Sequence, residues 1–181
     1  MCYQNKTHME LIDILRNETQ TLKVQYLEST RKWAENSYNY AVTRSKWSEQ
    51  TWCEYFGLTS EVRNPGTSIE FYSFPKGFHN TANSKTYRKI RDEISSLMRM
   101  GFDKFLEKEI KKAENHYENS LQKLTARIQL KGLDVDNMKI TSGRVGVNID
   151  ITLTDGDKTV RAYTIVAEGD IQRPHYRYLV K

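Results

Sequence analysis

Residues 25–47, QYLESTRKWAENSYNYAVTRSKW, carry a large aromatic side chain at every seventh position. The four are Tyr26, Trp33, Tyr40 and Trp47. Such a repeat drifts by only about 20° per heptad around a helix, so the four side chains share one face. If exposed, they would form a larger apolar patch than soluble monomers usually carry. We therefore interpret the stripe as a buried seam for helix packing or self-association, in preference to a base-stacking platform or a groove for a partner helix.

Local signals place this stripe within a long helical segment. The first 56 residues contain neither glycine nor proline. Thr7 and Glu10 match the capping-box pattern of a helix start, and Gly57 is typical of a helix end. These signals predict helix over residues 8–56. The segment forms either one long helix or a helical hairpin that breaks at residues 36–39, where poor helix formers cluster.

A second helical period follows an irregular segment. Residues 57–83 read as a loop, with a short strand near residues 68–73 where apolar and polar residues alternate. Apolar residues then recur every three or four positions over residues 84–131, which predicts a second long helix. Gly101 interrupts this pattern and marks a bend or a close helix contact. Gly132 offers the terminal cap.

The C-terminal segment changes to a period of two. Apolar residues alternate with polar ones over residues 145–153, which predicts a strand. Asp155-Gly156 fits a two-residue hairpin turn, and residues 175–181 are expected to form a third strand. The turn predicts a register with five cross-strand pairs: Ile151 with Val160, Asp150 with Arg161, Ile149 with Ala162, Asn148 with Tyr163, and Val147 with Thr164.

Together these patterns predict a single α+β domain over residues 1–181. Two long amphipathic helices pack along their length, as in a coiled coil, and a C-terminal antiparallel β-meander follows over residues 138–181. The short strand near residues 68–73 is expected to extend that sheet.

Composition narrows the classes of function. The formal net charge is +5 and the sequence pI is about 9.1. Residues 84–131 hold twelve basic and seven acidic side chains, which is effectively all of the excess. A charge of this sign favours polyanionic partners. No stretch is apolar enough for a signal peptide or a membrane span, and two cysteines make no disulfide framework. These features predict a cytoplasmic protein that does not contact membranes.

The first candidate binding surface is the start of the second helix. Lys85, Arg88, Lys89 and Arg91 place four cations in its first turns. Helix N-termini prefer acidic side chains, because the helix dipole is positive there. Cations at this position, together with unpaired backbone amides, favour an anion such as phosphate. The alternative interpretation is an ordinary solvated basic face, on which Asp92 and Glu93 partly compensate the cations.

The second candidate surface is the outer face of the sheet. With the predicted register, Arg161 and Tyr163 lie on that face. If Tyr176, Tyr178 and Val180 of the third strand turn inward, His175 and Arg177 join it. A basic surface with an aromatic side chain is typical of sheets that bind single-stranded nucleic acid. The alternative is cross-strand charge pairing, which only stabilises the sheet.

No catalytic pattern emerges. The four histidines are dispersed, and no metal-binding, nucleotide-binding or nucleophile motif is present. We therefore predict neither an enzymatic activity nor a metal or cofactor. A metal-independent nuclease, with His175 as a general acid beside Arg177, is the catalytic alternative.

The sequence thus predicts a non-catalytic interaction protein, a small basic module that contacts nucleic acid through a helix N-terminus and the outer face of a sheet. Two alternatives stand beside it. One is a structural or assembly protein that forms homo-oligomers through the long helices. The other is an inhibitor that binds a protein partner.

Overall fold

A computed structural model describes residues 7–66, 71–133, 139–145 and 148–164. These residues form helices and antiparallel sheets, so the predicted α+β class is confirmed. They fall into two compact units. The first contains the described residues up to 34 and those from 106 onward, and the second contains residues 35–105.

Three helices occupy the segment predicted as one helix or a hairpin. Helix α1 spans His8–Glu18, α2 spans Gln20–Ser45 and α3 spans Glu49–Tyr55. The chain leaves the helical conformation at Thr19 and again after Ser45. In contrast, α2 continues through residues 36–39, so the hairpin alternative with a break there is wrong. The alternative of one unbroken helix is wrong as well, because the chain leaves the helical conformation at the two other points.

Tertiary contacts explain why α2 continues through these weak helix formers. Ser37 and Ala41 are fully buried, and the ring of Tyr38 packs edge-on against Phe102 with 5.4 Å between centroids. Helix propensities of ordinary residues differ by less than about 1 kcal/mol. Packing of the Tyr38 ring outweighs a difference of that size.

The predicted helix ends are confirmed. The Thr7 side chain accepts a hydrogen bond from the backbone of Glu10, whose carboxylate accepts one from the Thr7 amide at 2.6 Å. After α3, Gly57 adopts a φ of 66°, and Leu58 donates to the Cys53 carbonyl at 2.8 Å. This pattern satisfies carbonyl groups left unpaired at a helix end.

The segment predicted as a second long helix forms two. Helix α4 spans Ala82–Met100 and α5 spans Phe102–Lys131. Gly101 separates them with a φ of 77° and a ψ of 159°, a conformation that only glycine adopts readily. The interruption predicted at Gly101 is therefore confirmed. Gly132 ends α5 with a φ of 59°, as the sequence predicts.

The core of the first unit joins α1, the start of α2, α5 and the C-terminal sheet. Each large apolar side chain buried there contributes about 1.5–3 kcal/mol. The core residues come from helices and strands that are far apart in sequence, and they tie the N-terminal helices and the sheet to α5. The buried residues are Leu11, Leu15, Tyr26, Ala113, Tyr117, Leu121, Leu124, Ile128, Leu133, Leu153 and Val160.

The aromatic stripe is buried only in part. Tyr26 and Trp33 are buried inside the chain, whereas Tyr40 exposes 42% of its surface. Trp47 lies beyond the end of α2, where the helical repeat no longer applies, and it is half-buried. The prediction of one continuous seam through all four residues is therefore wrong. Because Tyr26 and Trp33 pack within the chain, they are not available for self-association.

A buried hydrogen bond marks the break between α1 and α2. The Thr19 hydroxyl lies 2.6 Å from the Leu15 carbonyl and 2.6 Å from the Tyr117 hydroxyl. Its single proton is donated to Leu15, so Tyr117 donates to Thr19. Burial raises the pKa of Tyr117, and Glu118 adds to this effect.

Alkaline pH is expected to destabilise the protein through Tyr117. The folded state holds its pKa above that of the unfolded chain, about 10. The stabilisation that protonated Tyr117 gives the folded state is therefore complete below about pH 10, and it is lost as pH rises through the folded-state pKa. Urea unfolding at a series of pH values should show this loss in the wild type and a smaller one in Tyr117→Phe. Equal slopes in the two proteins would contradict the assignment.

Three antiparallel strands form the C-terminal sheet. They are β3 (Lys139–Val145), β4 (Asn148–Asp155) and β5 (Lys158–Thr164), in the order β3-β4-β5. The strand predicted over residues 145–153 is divided between β3 and β4, since Val145 pairs with Asn148. The predicted third strand at residues 175–181 lies outside the described residues.

The register of the β4–β5 hairpin differs from the prediction by one position in the turn. Asp155 pairs with Lys158, so the turn residues are Gly156 and Asp157, and Gly156 adopts a φ of 54°. Gly-Asp and Asp-Gly are both common in two-residue turns, so local sequence does not choose between them. The observed register places the buried Leu153 opposite the buried Val160. It also places Ile151 opposite Ala162, Asp150 opposite Tyr163, and Arg161 opposite Thr152.

A short hairpin belongs to the second unit. Strand β1 spans Glu61–Arg63 and pairs with β2, Phe71–Ser73. The strand expected near residues 68–73 is therefore present as β2. The two strands form a separate sheet, so the expectation that β2 extends the C-terminal sheet is wrong.

Candidate nucleic-acid interface

Helix α4 begins at a well-defined cap. The Thr81 side chain accepts a hydrogen bond from the Ser84 amide at 3.2 Å and donates one to the Phe78 carbonyl at 2.7 Å. No acidic side chain lies in the first turn. The positive end of the helix dipole is therefore not neutralised within its own first turn.

The four predicted cations are exposed along the first half of this helix: Lys85, Arg88, Lys89 and Arg91. Ile90 and Ile94, on the opposite face, are buried. All four cations thus lie on the solvent-exposed part of α4.

Hydrogen bonds hold two of the arginines in place. Arg88 donates through Nη2 to the His79 carbonyl and to the Ser84 hydroxyl, both at 3.3 Å. Arg91 donates to the Tyr87 hydroxyl at 3.1 Å, and its guanidinium carbon lies 5.7 Å from the centroid of that ring. The first arginine is kept at the helix start, and the second is stacked on an aromatic ring.

An aromatic cluster, which sequence reasoning missed, supports the start of α4. The half-buried Tyr87 ring lies 5.2 Å from the ring of Trp52, 5.0 Å from that of Phe74 and 6.1 Å from that of Phe78. Trp52 also contacts Trp47, Tyr55 and Phe56. The density of aromatic residues over 47–56 was the available signal, but ring contacts between distant segments are not visible in sequence.

A buried arginine belongs to the same unit. Arg44 exposes only 4% of its surface. Its guanidinium carbon lies 5.6 Å from the ring centroid of Tyr40 and 5.2 Å from those of Trp47 and Tyr55. Three rings around one desolvated cation make a strong interaction. Tyr40 and Trp47, the last two residues of the aromatic stripe, therefore pack around the Arg44 guanidinium.

Only part of the second candidate surface is described. Arg161 is exposed, and its backbone carbonyl accepts a hydrogen bond from Arg127 of α5 at 2.7 Å. Tyr163 lies two positions further along β5, and its partner is Asp150. His175 and Arg177 lie outside the described residues. The predicted pairing of Asp150 with Arg161 is wrong, because Arg161 lies opposite Thr152.

Basic residues of α5 near this surface were also missed. Lys123, Arg127 and Lys131 recur every fourth position and are all exposed. That spacing places them on one helical face, so the signal was present in the sequence. The sheet surface belongs to the first unit and the start of α4 to the second.

Three other features of the described residues bear on chemistry: groups of metal-binding side chains, the Cys53 thiol and the length of apolar helices. Within them, no group of three or more histidine, cysteine or acidic side chains is arranged to hold a metal ion. Burial raises the pKa of the Cys53 thiol, and the nearby Glu49 and Glu54 raise it further. The protonated thiol is a poor nucleophile. None of the helices in this part of the chain is long and apolar enough to cross a membrane.

No protein-family model matches the chain, and searches of the curated proteins and of the solved structures find no match either.

Proposed function

We propose that the protein binds nucleic acid without catalysis, through the start of helix α4. One observation carries this proposal: Lys85, Arg88, Lys89 and Arg91 are all exposed on the first half of a helix whose first turn contains no acid. Side-chain charge and helix dipole there act in the same direction, and both attract phosphate.

The geometry supports contacts to the phosphate backbone more than base reading. Arg88 is hydrogen-bonded to the helix start, so its position is defined before a ligand arrives. Ordering such side chains in advance lowers the entropic cost of binding. The Tyr87–Arg91 pair adds a partly exposed aromatic group to the charged surface, which suits single strands with accessible bases.

The sheet supplies a secondary contact in this proposal. Arg161 is exposed on β5, and the exposed Arg127 lies beside it through its bond to the Arg161 carbonyl. These two cations are fewer than the four on α4, so we expect them to contribute less to affinity.

The test is a salt titration of binding. Fluorescently labelled single-stranded and duplex oligonucleotides of mixed sequence are titrated with protein at several salt concentrations. Four phosphate contacts predict that log K falls with log salt with a slope between about −3 and −4. Replacing both Arg88 and Lys89 with glutamate should weaken binding by at least about tenfold and reduce the slope by about two.

A matched control separates this surface from general charge. Lys104→Glu with Lys108→Glu changes the net charge equally, at two exposed cations of α5. This control should affect binding much less than the α4 variant. Arg88 and Lys89 are both exposed, and substitutions at exposed positions usually change stability by no more than about 0.5 kcal/mol, so the α4 variant is expected to fold. Equal weakening by both variants, or unchanged binding by the α4 variant, would overturn the proposal.

The sheet contact is tested separately with Arg161→Glu. Loss of one phosphate contact should reduce the salt slope by about one. Binding identical to the wild type would remove the sheet from the interface and leave the α4 surface in place.

A further inference from the structure

The two edges of the β1–β2 hairpin differ in the contacts that they make. The edge of β2 faces α3: Cys53 donates through Sγ to the Ser73 carbonyl at 3.9 Å, and the Phe74 amide donates to the Glu49 carboxylate at 3.3 Å. The opposite edge, along Glu61–Arg63, pairs with no other strand among the residues that the structure describes. An edge strand of this kind is a template for pairing with another chain.

The hairpin also exposes apolar side chains. Val62 and Tyr72 lie opposite each other and expose 41% and 42% of their surfaces, and Phe71 exposes 57%. All three residues of β1 are exposed. A strand that joins this edge would therefore cover apolar surface as well as backbone hydrogen-bonding groups.

The sequence of β1 is complementary to itself in one orientation. It reads Glu61-Val62-Arg63. If two copies pair antiparallel around Val62, that valine faces its own copy, and each Glu61 faces Arg63 of the other chain. Parallel pairing in register would instead oppose glutamate to glutamate and arginine to arginine. Opposite charges across strands are stabilising and like charges are destabilising, so the charges select the antiparallel arrangement.

Existing contacts leave these charges accessible. The Glu61 carboxylate accepts the Lys76 amide through Oε1 at 2.6 Å, and Arg63 donates to the Ser73 hydroxyl through Nε at 3.1 Å. Both side chains are nevertheless exposed, and each bond uses only one of several polar atoms. Both bonds run toward β2 and the residues after it, and neither neutralises a charge. In the proposed pair, the two side chains turn from these partners toward the free edge of β1.

We propose that β1 pairs antiparallel with β1 of a second copy about a two-fold axis at Val62, which joins two hairpins into a four-stranded sheet. The same surface patch serves both chains, as in most symmetric dimers. Three residues per strand make a small interface, so the dimer is weak and dependent on concentration. This inference does not depend on nucleic-acid binding.

Charge exchange tests the pairing. Molecular mass is measured by light scattering over a range of protein concentrations. Glu61→Arg alone and Arg63→Glu alone each replace two attractive pairs with two repulsive ones, which should weaken the dimer by about tenfold. Mixing the two single variants should restore association, since each then faces the opposite charge. A chain carrying both substitutions should also dimerise.

A cysteine pair tests the register independently of charge. Val62→Cys and Tyr72→Cys are made in a Cys2→Ser background and oxidised with copper phenanthroline. The two positions have matched exposure, but only residue 62 lies opposite its own copy in the proposed dimer. Val62→Cys should form a disulfide-linked dimer, whereas Tyr72→Cys should not, because its counterpart would be about three strand spacings away.

The outcomes are decisive in both directions. Restored association in the mixture, together with selective crosslinking at residue 62, supports the two-fold pairing. A wild-type protein that stays monomeric at all concentrations overturns it. So does a dimer that crosslinks equally at both positions or that ignores both charge substitutions.

Discussion

Replacing Trp52 with alanine is expected to lower the free energy of unfolding by about 3–5 kcal/mol. Trp52 is fully buried in the second unit. Its ring contacts those of Trp47 at 4.8 Å, Tyr55 at 5.8 Å and Tyr87 at 5.2 Å between centroids. Alanine would leave a cavity lined by rigid rings that cannot easily collapse, and such sites show the largest losses. Guanidinium denaturation followed by circular dichroism measures the change.

Trp52→Phe is the matched control. The indole Nε1 has no hydrogen-bond partner in the described structure, so phenylalanine keeps an aromatic ring and loses no hydrogen bond. We expect a cost well below that of alanine, because the cavity is smaller. Because Trp52 supports Tyr87 beneath the basic start of α4, the alanine variant should also bind nucleic acid more weakly. A stability loss below about 1 kcal/mol for alanine would contradict the central role of Trp52.

Replacing Arg44 with methionine is expected to lower the free energy of unfolding by about 1–3 kcal/mol. The guanidinium group is almost fully buried among Tyr40, Trp47 and Tyr55, with 5.2–5.6 Å to their centroids. Desolvated cation–π contacts contribute up to about 2 kcal/mol each, and they are not additive. Arg44 also lies in the last turn of α2, where a positive charge interacts favourably with the helix dipole. Methionine retains most of the aliphatic packing but loses these interactions.

Two further variants separate charge from packing at this position. Arg44→Ala removes the stem as well, so it should cost more than methionine. Arg31→Met removes an exposed arginine from the same helix and should change stability by less than about 0.5 kcal/mol. Thermal and urea unfolding of the three variants measure the order of their stability losses. Equal effects at Arg44 and Arg31 would show that the three rings do not stabilise the cation.

Signals confined to a few neighbouring residues were read correctly from the sequence. The capping box at Thr7 and Glu10, the glycines at positions 57, 101 and 132, and the apolar periods of the helices all describe local geometry. Capping and positive φ depend on residues within one helical turn. The sequence therefore located most helix ends and predicted the α+β class.

Interactions between distant residues account for the errors. The break at Thr19 involves its hydrogen bond to Tyr117, 98 positions away. The β4–β5 register depends on burying Leu153 opposite Val160 beneath helices from elsewhere in the chain. The local sequence allowed a turn at either Asp155-Gly156 or Gly156-Asp157. The core distinguishes the two turns, because a shift of register changes which apolar side chains lie opposite each other.

The candidate site likewise has some features that could be predicted from the sequence and others that could not. The cations of α4 could be named from the sequence, because charge and helical spacing are properties of consecutive residues. The rings around Tyr87 and the enclosure of Arg44 could not, since they require segments near residues 47–56, 74 and 87 to meet. Local geometry is encoded in adjacent residues, whereas burial is a property of the assembled chain. Sequence alone therefore specified which segments are helical, most of their ends and their charge. Packing decided the breaks at Thr19 and after Ser45, and which aromatic residues became core and which stayed at the surface.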